Sequence, residues 1–422
     1  MKSEKQALVP RLRFPVFRDA GEWANRSMGD LYGFHPTNTL SRDKLNYTNG
    51  DVKNIHYGDI HTKFATLFDV TNELVPFIND TESVERIRPE SYCIEGDVIF
   101  ADASEDLEDV GKSIEIVNTN NEKIVSGLHT ILARQLTNRL AIRFGGYLFK
   151  SGAIRQQIKR EAQGAKVLGI SSGRLSRINV CYPPDREEQQ KIADCLSSLD
   201  ALIAAQADKI DALKTHKRGL MQQLFPREGE TAPRLRFPEF RDAGKWIEAF
   251  LDDVCDMQSG KFIAAAEISS SFEEGMFPCF GGNGLRGYTK TYNQSGRYSL
   301  IGRQGALCGN VNLVEGDFYA TEHAVVTTPK SGVSTDWLFY NLTLLNLNRF
   351  ATGQAQPGLS VEVLDKVPCS IPRDEKEQQK IAECLSSLDA LIATQADKIN
   401  VLKTHKKGLM QQLFPSPEAV GV

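Results

Sequence analysis

Between Gly275 and Val314 the chain carries Arg286, Lys290, Arg297 and Arg303, interleaved with Tyr288, Tyr292 and Tyr298 and nine glycines, and has no Asp or Glu. Cations at this density can neutralise phosphates, glycine lets a backbone approach a duplex closely, and Arg, Asn and Gln match the hydrogen-bonding pattern of base edges. The stretch "ATGQAQPGLS", residues 351–360, adds Gln354 and Gln356, amides of the kind that read adenine. A second basic run lies upstream: residues 134–177 hold Arg134, Arg139, Arg143, Lys150, Arg155, Lys159, Arg160, Lys166, Arg174 and Arg177 against Glu161 alone. Residues 69–122 run the other way, with fifteen acidic against three basic. Glycine-rich strand turns and a solvated charged face are the alternatives that composition leaves open. The whole chain has a net charge of −4, which argues against indiscriminate nucleic-acid binding.

Catalytic chemistry finds little support. There is no HExxH, P-loop or GxSxG. Gly282, Gly284 and Gly287 make a formal GxGxxG, but "YTKTYNQSGRYS" follows, rich in turn and strand formers where a dinucleotide fold needs a helix. Asp97 lacks the lysine partner that a restriction-type nuclease centre requires. The eight cysteines form no CxxC pair and no tight cluster, so reduced, packed thiols are expected, with no metal and no disulfide frame. No apolar run approaches the ~18 residues that cross a bilayer, and "MKSEKQALVP" has no apolar signal core, so a cytoplasmic location is expected.

What positions these residues is a duplicated layout. "PRLRFPVFRDAGEW" at 10–23 returns as "PRLRFPEFRDAGKW" at 233–246, and residues 188–226 return at 377–415 with five of thirty-nine positions changed. The segments between share little, apart from "REAQGAKVLGIS" (160–171) aligning on "RFATGQAQPGLS" (349–360). The expected parts are a variable domain over 1–184, a helix over 185–226, a second variable domain over 227–373, a second helix over 374–415 and a tail over 416–422. Asp185 with Glu188, and Asp374 with Glu377, have the spacing of capping boxes. Pro226 and Pro415 stop the helices.

Within each helix the seam positions, mostly apolar, step by four and three without a break, as in a coiled coil. In the first copy the apolar ones are Ile192, Leu196, Leu199, Ile203, Ile210, Leu213, Leu220 and Leu224. In the second they are Ile381, Leu385, Leu388, Ile392, Ile399, Leu402, Leu409 and Leu413. Polar Gln206, Lys217, Gln395 and Lys406 interrupt the seam and restrict its register. At ~1.5 Å per residue each helix is roughly 58 Å long. Two such helices in one chain predict an intramolecular antiparallel coiled coil with pseudo-twofold symmetry, with the variable domains at opposite ends of the rod. An intermolecular coiled coil is the alternative. The variable domains themselves read as α/β (α+β), each with a helix near its end, at 145–162 and 336–351.

The helix starts "PPDREEQQKIADCLSSLDALI" and "IPRDEKEQQKIAECLSSLDALI", the segment "GRYSLIGRQGALCGNVNLVEGDFYATEHAVVT", "GDVIF" and the "TGQAQPGLS" loop together resemble the specificity subunit of type I restriction–modification enzymes, over nearly the whole chain. The resemblance implies two target recognition domains, each reading one half of a split, asymmetric double-stranded DNA target. The two helices would then act as a ruler, and their matching surfaces would dock two methyltransferase subunits, with restriction subunits joining that core. It further implies a chain without catalysis of its own, AdoMet, ATP and magnesium belonging to the partners. Two other readings compete: a coiled-coil scaffold with two protein- or carbohydrate-binding lobes, and an enzyme that cuts DNA alone.

Overall fold

In the computed structural model the described residues are 8–79, 84–305, 307–353 and 357–415. The chain forms two compact units, Met1–Ala205 with Ile399–Val422, and Gln206–Lys398. The duplication is therefore visible in space, and each long helix contributes one half to each unit. The helices labelled below are α1 (Phe144–Leu148), α2 (Gly152–Glu161), α3 (Arg186–Leu224), α4 (Thr335–Leu344) and α5 (Glu375–Leu413).

The long helices begin and end where their sequence dictates. Asp185 Oδ1 accepts from the Glu187 amide at 2.8 Å and Asp374 Oδ1 from the Lys376 amide at 2.9 Å, so both aspartates cap. The expected second half of the capping box is absent. Glu188 instead takes a bidentate bond from Arg13, 2.7 Å at both nitrogens, and a 3.4 Å bond from the Trp23 indole. Glu377 does the same with Arg236, at 2.6 and 2.7 Å, and with Trp246 at 3.3 Å. A buried carboxylate takes the partner that neutralises it in preference to a backbone amide that water could serve. The repeated leader "PRLRFP" is thereby explained: its second arginine pins each helix start.

Every seam residue, polar ones included, is buried or half-buried along both helices. In the first unit Ile192, Ala193 and Leu196 share a core with Leu413 and Phe414, and Asp200 meets Lys406 at 2.5 Å. In the second unit Met221, Leu224 and Phe225 share a core with Ile381 and Leu385, and Lys217 meets Asp389 at 2.6 Å. In both units one index rises while the other falls, so the helix halves run antiparallel. Each ion pair also receives a tyrosine: Tyr147 donates to Asp200 and Tyr340 to Asp389, both at 2.8 Å, and the lysine ammonium stands 5.1 or 5.0 Å from the ring centre. The seam lysines that the heptad pattern marks as costly are thus neutralised from the side.

The two variable segments, which share little sequence, build the same sheet. In the first unit the strand order is Tyr32–His35, Thr130–Gln135, Val98–Ala101, Ser113–Asn118 and Leu67–Asp69, the last parallel to its neighbour and the rest antiparallel. In the second it is Cys255–Ser259, Ala324–Pro329, Gln294–Gly302, Val311–Ala320 and Phe277–Gly281, again with only the last pair parallel. The second unit adds Gly284–Thr289 at the far edge, while the first inserts a small four-stranded sheet containing Lys53–Ile55. Mixed α/β character follows, as the patterning predicts. The GxGxxG glycines lie in the hairpin of Phe277–Gly281 and Gly284–Thr289 and open no helix. The described cysteines are free, six buried and two half-buried. Among the described residues no helix is long and apolar enough to cross a membrane.

Candidate nucleic-acid interface

The two sheets converge on one local frame. At the end of a central strand the amide of Asp102 donates to the His129 carbonyl at 3.0 Å, and that of Arg303 to the His323 carbonyl at 2.8 Å. The carbonyl of the same residue then accepts from a loop, from Ile170 at 2.8 Å in the first unit and from Leu359 at 2.9 Å in the second. That loop closes on itself through paired bonds between Gln163 and Gly169, and between Thr352 and Gly358. Gly164 (φ +138°) and Gly353 (φ +98°) make the reversal possible; a Cβ on Gly164 would stand 1.9 Å from the Val167 carbonyl. The weak sequence echo at 160–171 and 349–360 is this loop. Gln354 and Gln356, the proposed amides, lie outside the described residues.

The same backbone presents different chemistry in each unit. In the first, His129 Nδ1 lies 3.2 Å from Asp102, and Tyr57 packs its ring against His56, His61 and His129 with centres 4.7, 6.0 and 5.3 Å away. His61 Nε2 meets the Ala103 carbonyl at 3.1 Å. Burial and the nearby Arg42 cation push the pKa of His56 below its ordinary value. In the second unit Arg303 donates to Ser259 at 3.2 Å, and a cleft of about 400 Å³ opens between Asn283, Arg286, Gln304 and His323 over a floor of glycines. Gly302 allows the floor to close, since a Cβ there would meet the Gly282 carbonyl at 2.0 Å. Arg, His, Asn and Gln around a shallow glycine cleft form a donor-rich surface fitted to phosphates and base edges.

The cations proposed from sequence divide sharply. Arg134 forks onto Asp97 at 2.8 and 2.6 Å and also holds the Tyr92 carbonyl. Arg143 ties α1 to α3 through Asp194 and Ser197, and Arg155 holds the carbonyls of Glu108 and Val110. Lys159 pairs with Glu108, Arg174 with Glu161, and Arg297 with Asp336 and Glu315. Lys150 donates to Thr66 at 2.6 Å, and burial lowers its pKa to about 8. These side chains build the units. The acidic run 69–122 lies eleven residues before the basic run 134–177 and folds against it, so part of the apparent +9 is neutralised internally, Arg134 by Asp97 and Lys159 by Glu108. Arg139, Arg160, Lys166, Arg286 and Lys290 stay exposed and carry no ion pair among the described residues. Tyr288 is half-buried against Phe272, ring centres 5.3 Å apart. His129, His323, Asn283 and Gln304 are the frame residues that the sequence did not single out. The common signal, "GLHT" against "TEHA", becomes visible only once the strands align.

A family model described as the type I restriction modification DNA specificity domain matches residues 21–215 and 244–404. The specificity subunit of the type I restriction enzyme EcoprrI from Escherichia coli is 46% identical over 158 residues, covering 37% of this chain and 39% of that protein. The chain thus spans about two fifths of that relative in the match. The MjaVIII specificity subunit from Methanocaldococcus jannaschii is 24% identical over 64% of this chain and 69% of its own length. Among solved structures, the S subunit of a type I restriction–modification system from M. genitalium superposes with a TM-score of 0.59 at 15% identity, covering 97% of this chain and 99% of that one. At that identity the likeness concerns the fold.

Proposed function

The chain belongs to the type I restriction modification DNA specificity family, and from this premise we propose that it reads a bipartite, asymmetric double-stranded DNA target, one half-site with each unit. The observation that carries the reading is the duplicated frame: one backbone arrangement, at Asp102–His129 and Arg303–His323, holding unlike side chains. Unlike readers on like scaffolds imply unlike half-sites. In the second unit Arg286, Lys290, Asn283, Gln304 and His323 would meet the duplex. In the first, His129, Tyr57 and the exposed Lys166 and Arg160 would do so. Phosphate contacts by the cations set position, and the amides and imidazoles discriminate bases.

The long helices fix the spacing between half-sites and dock two methyltransferase subunits, restriction subunits joining that assembly. Two features support this part of the reading: an identical Tyr–Asp–Lys triad in each unit, and matched apolar side chains left outside the seam, Leu202 at 40% exposure and Leu391 at 38%. The chain supplies recognition alone, in the cytoplasm, while AdoMet, ATP and magnesium are held by the partners. Removing seven residues, one heptad, from α3 provides the test. In complexes reconstituted with the methyltransferase, the methylated half-sites should keep their bases while the gap between them changes or binding fails. Unchanged spacing with full activity would contradict the reading.

A further inference from the structure

The units differ most beside the ends of their long helices. In the first, α2 packs Ala153, Ile154 and Ile158 into the core, and its Gln157 amide exchanges two hydrogen bonds with the Asn179 backbone, at 2.9 and 2.8 Å. The space left between α2, strand Asn179–Tyr182 and Phe414 is about 10 Å³. In the second unit Tyr340 and Arg349 are 9 positions apart, where their counterparts Tyr147 and Arg160 are 13 apart, so four residues are missing. That is about one helical turn. Only a short 3₁₀ turn, Leu347–Phe350, stands in place of α2. The vacated position is a groove of about 830 Å³, all of it within the second unit.

Three features of the groove describe what would fill it. Its floor is apolar, from Phe225, Leu344 and Cys369, and Phe250 stands 53% exposed at the lip. Strand pairing puts Phe250 where the first unit has Ser27, and Glu248 where it has Asn25. Asn341, only 4% exposed, lines the groove with its Nδ2 facing the Cys369 sulfur and bonded to no oxygen or nitrogen among the described residues; Leu148 holds the corresponding position in the first unit. At the rim Arg349 pairs with Glu228 and Arg234 with Glu230, while Glu248 and Asp253 carry no ion pair among the described residues, Asp253 accepting from the Phe250 amide at 2.7 Å; Arg227 is the remaining cation of the groove lining.

We propose that this groove docks a basic, amphipathic α-helix of a partner protein, in the space that α2 fills in the first unit. The occupant's aliphatic side would cover Phe225, Leu344 and Phe250, its Lys or Arg side chains would meet Glu248 and Asp253, and one of its oxygens would accept from Asn341. The fold itself supplies the precedent: α2 joins Ile154 and Ile158 to Arg155, Lys159 and Arg160 in a single ten-residue helix. The proposal stands apart from the DNA-reading assignment, because no residue of the frame lines the groove.

The probe is a fluorescent peptide of residues 150–162 of this same chain, held helical by an i,i+4 lactam on its polar side, since a free peptide of this length is barely helical in water. Titrated by anisotropy against the full-length protein at low salt, it should bind saturably. Affinity should fall at least tenfold in the double variant Glu248→Asn/Phe250→Ser, which gives the exposed lip the residues of the first unit. A peptide with Arg155, Lys159 and Arg160 replaced by Glu should bind at least tenfold more weakly to the unaltered protein. No saturation up to millimolar peptide, or equal affinity in the variant, would overturn the proposal. Self-association of the chain abolished by the same double variant would also overturn it, by making a second copy the occupant.

Discussion

The frame end and the helix end of each unit have obeyed different rules. At the frame, Asp102 and Arg303 occupy the same turn and make the same two backbone hydrogen bonds, yet one side chain is an anion and the other a cation. At the helix end, Tyr147–Asp200–Lys406 and Tyr340–Asp389–Lys217 match within 0.1 Å in tyrosine–aspartate distance and in ring distance. A site built from backbone bonds leaves its side chains free to change. One built from side chains that neutralise each other in a half-buried seam does not, because losing one partner strands the others. The first kind suits recognition that must diversify, and the second suits an assembly that must stay constant.

The strongest way to break this comparison is at the leader–helix pins. Glu188→Ala leaves the buried Arg13 guanidinium without its carboxylate, and Glu377→Ala does the same to Arg236. Each should cost its own unit about 3 kcal/mol, read as a loss of hydrogen-exchange protection confined to that unit. A clear loss in one unit only would show that the repeats are not energetically equivalent.

The pH dependence should separate the units next. Burial raises Glu115 from 4.5 to about 7, even though its oxygens accept from the Arg143 amide at 2.9 Å and the Gly146 amide at 2.6 Å. The second unit has Leu313 at the matching strand position. A carboxyl raised on folding contributes stability that is complete below pH 4.5 and is lost as pH rises to about 7. The unfolding free energy of the first unit should therefore fall over that window by about 3 kcal/mol, and that of the second should not. Glu115→Gln should flatten the profile.

Smaller effects sharpen the helix end and then the interface. Asp200→Asn and Asp389→Asn should each destabilise by about 1 kcal/mol, since these carboxylates are two-fifths exposed and solvent screens them. Double-mutant cycles with Lys406→Met and Lys217→Met should give the same coupling in both units. Arg286→Ala and Lys290→Ala should each reduce the salt dependence of DNA binding by roughly 0.9 in slope, whereas Lys150→Gln, already buried on Thr66, should leave it unchanged.

What the sequence disclosed follows from where its signals are local. Helix limits, seam residues and the aspartate caps depend on neighbours within a turn or two, and repetition doubled the evidence. The helices at 145–162 and 336–351 are present, the first broken after Leu148 and the second after Leu344. The charged runs misled because a count of arginines does not show that Asp97 and Glu108, far upstream, claim Arg134 and Lys159. Glu188 looked like half of a capping box for the same reason: its true partner, Arg13, is 175 residues away. The common sheet was not legible, since its strands are short and joined by loops of unequal length. His129 and His323 become equivalent only after the strands have paired.

The most direct test of the account is a map of the methylated sites in cells carrying the intact system, compared between the unaltered chain and the variant Arg286→Ala/Gln304→Ala/His323→Ala. The account predicts that one half of the bipartite target becomes degenerate while the other half and the gap keep their sequence and length. Loss of specificity in both halves at once, or an unchanged target in a folded and assembled variant, would contradict it.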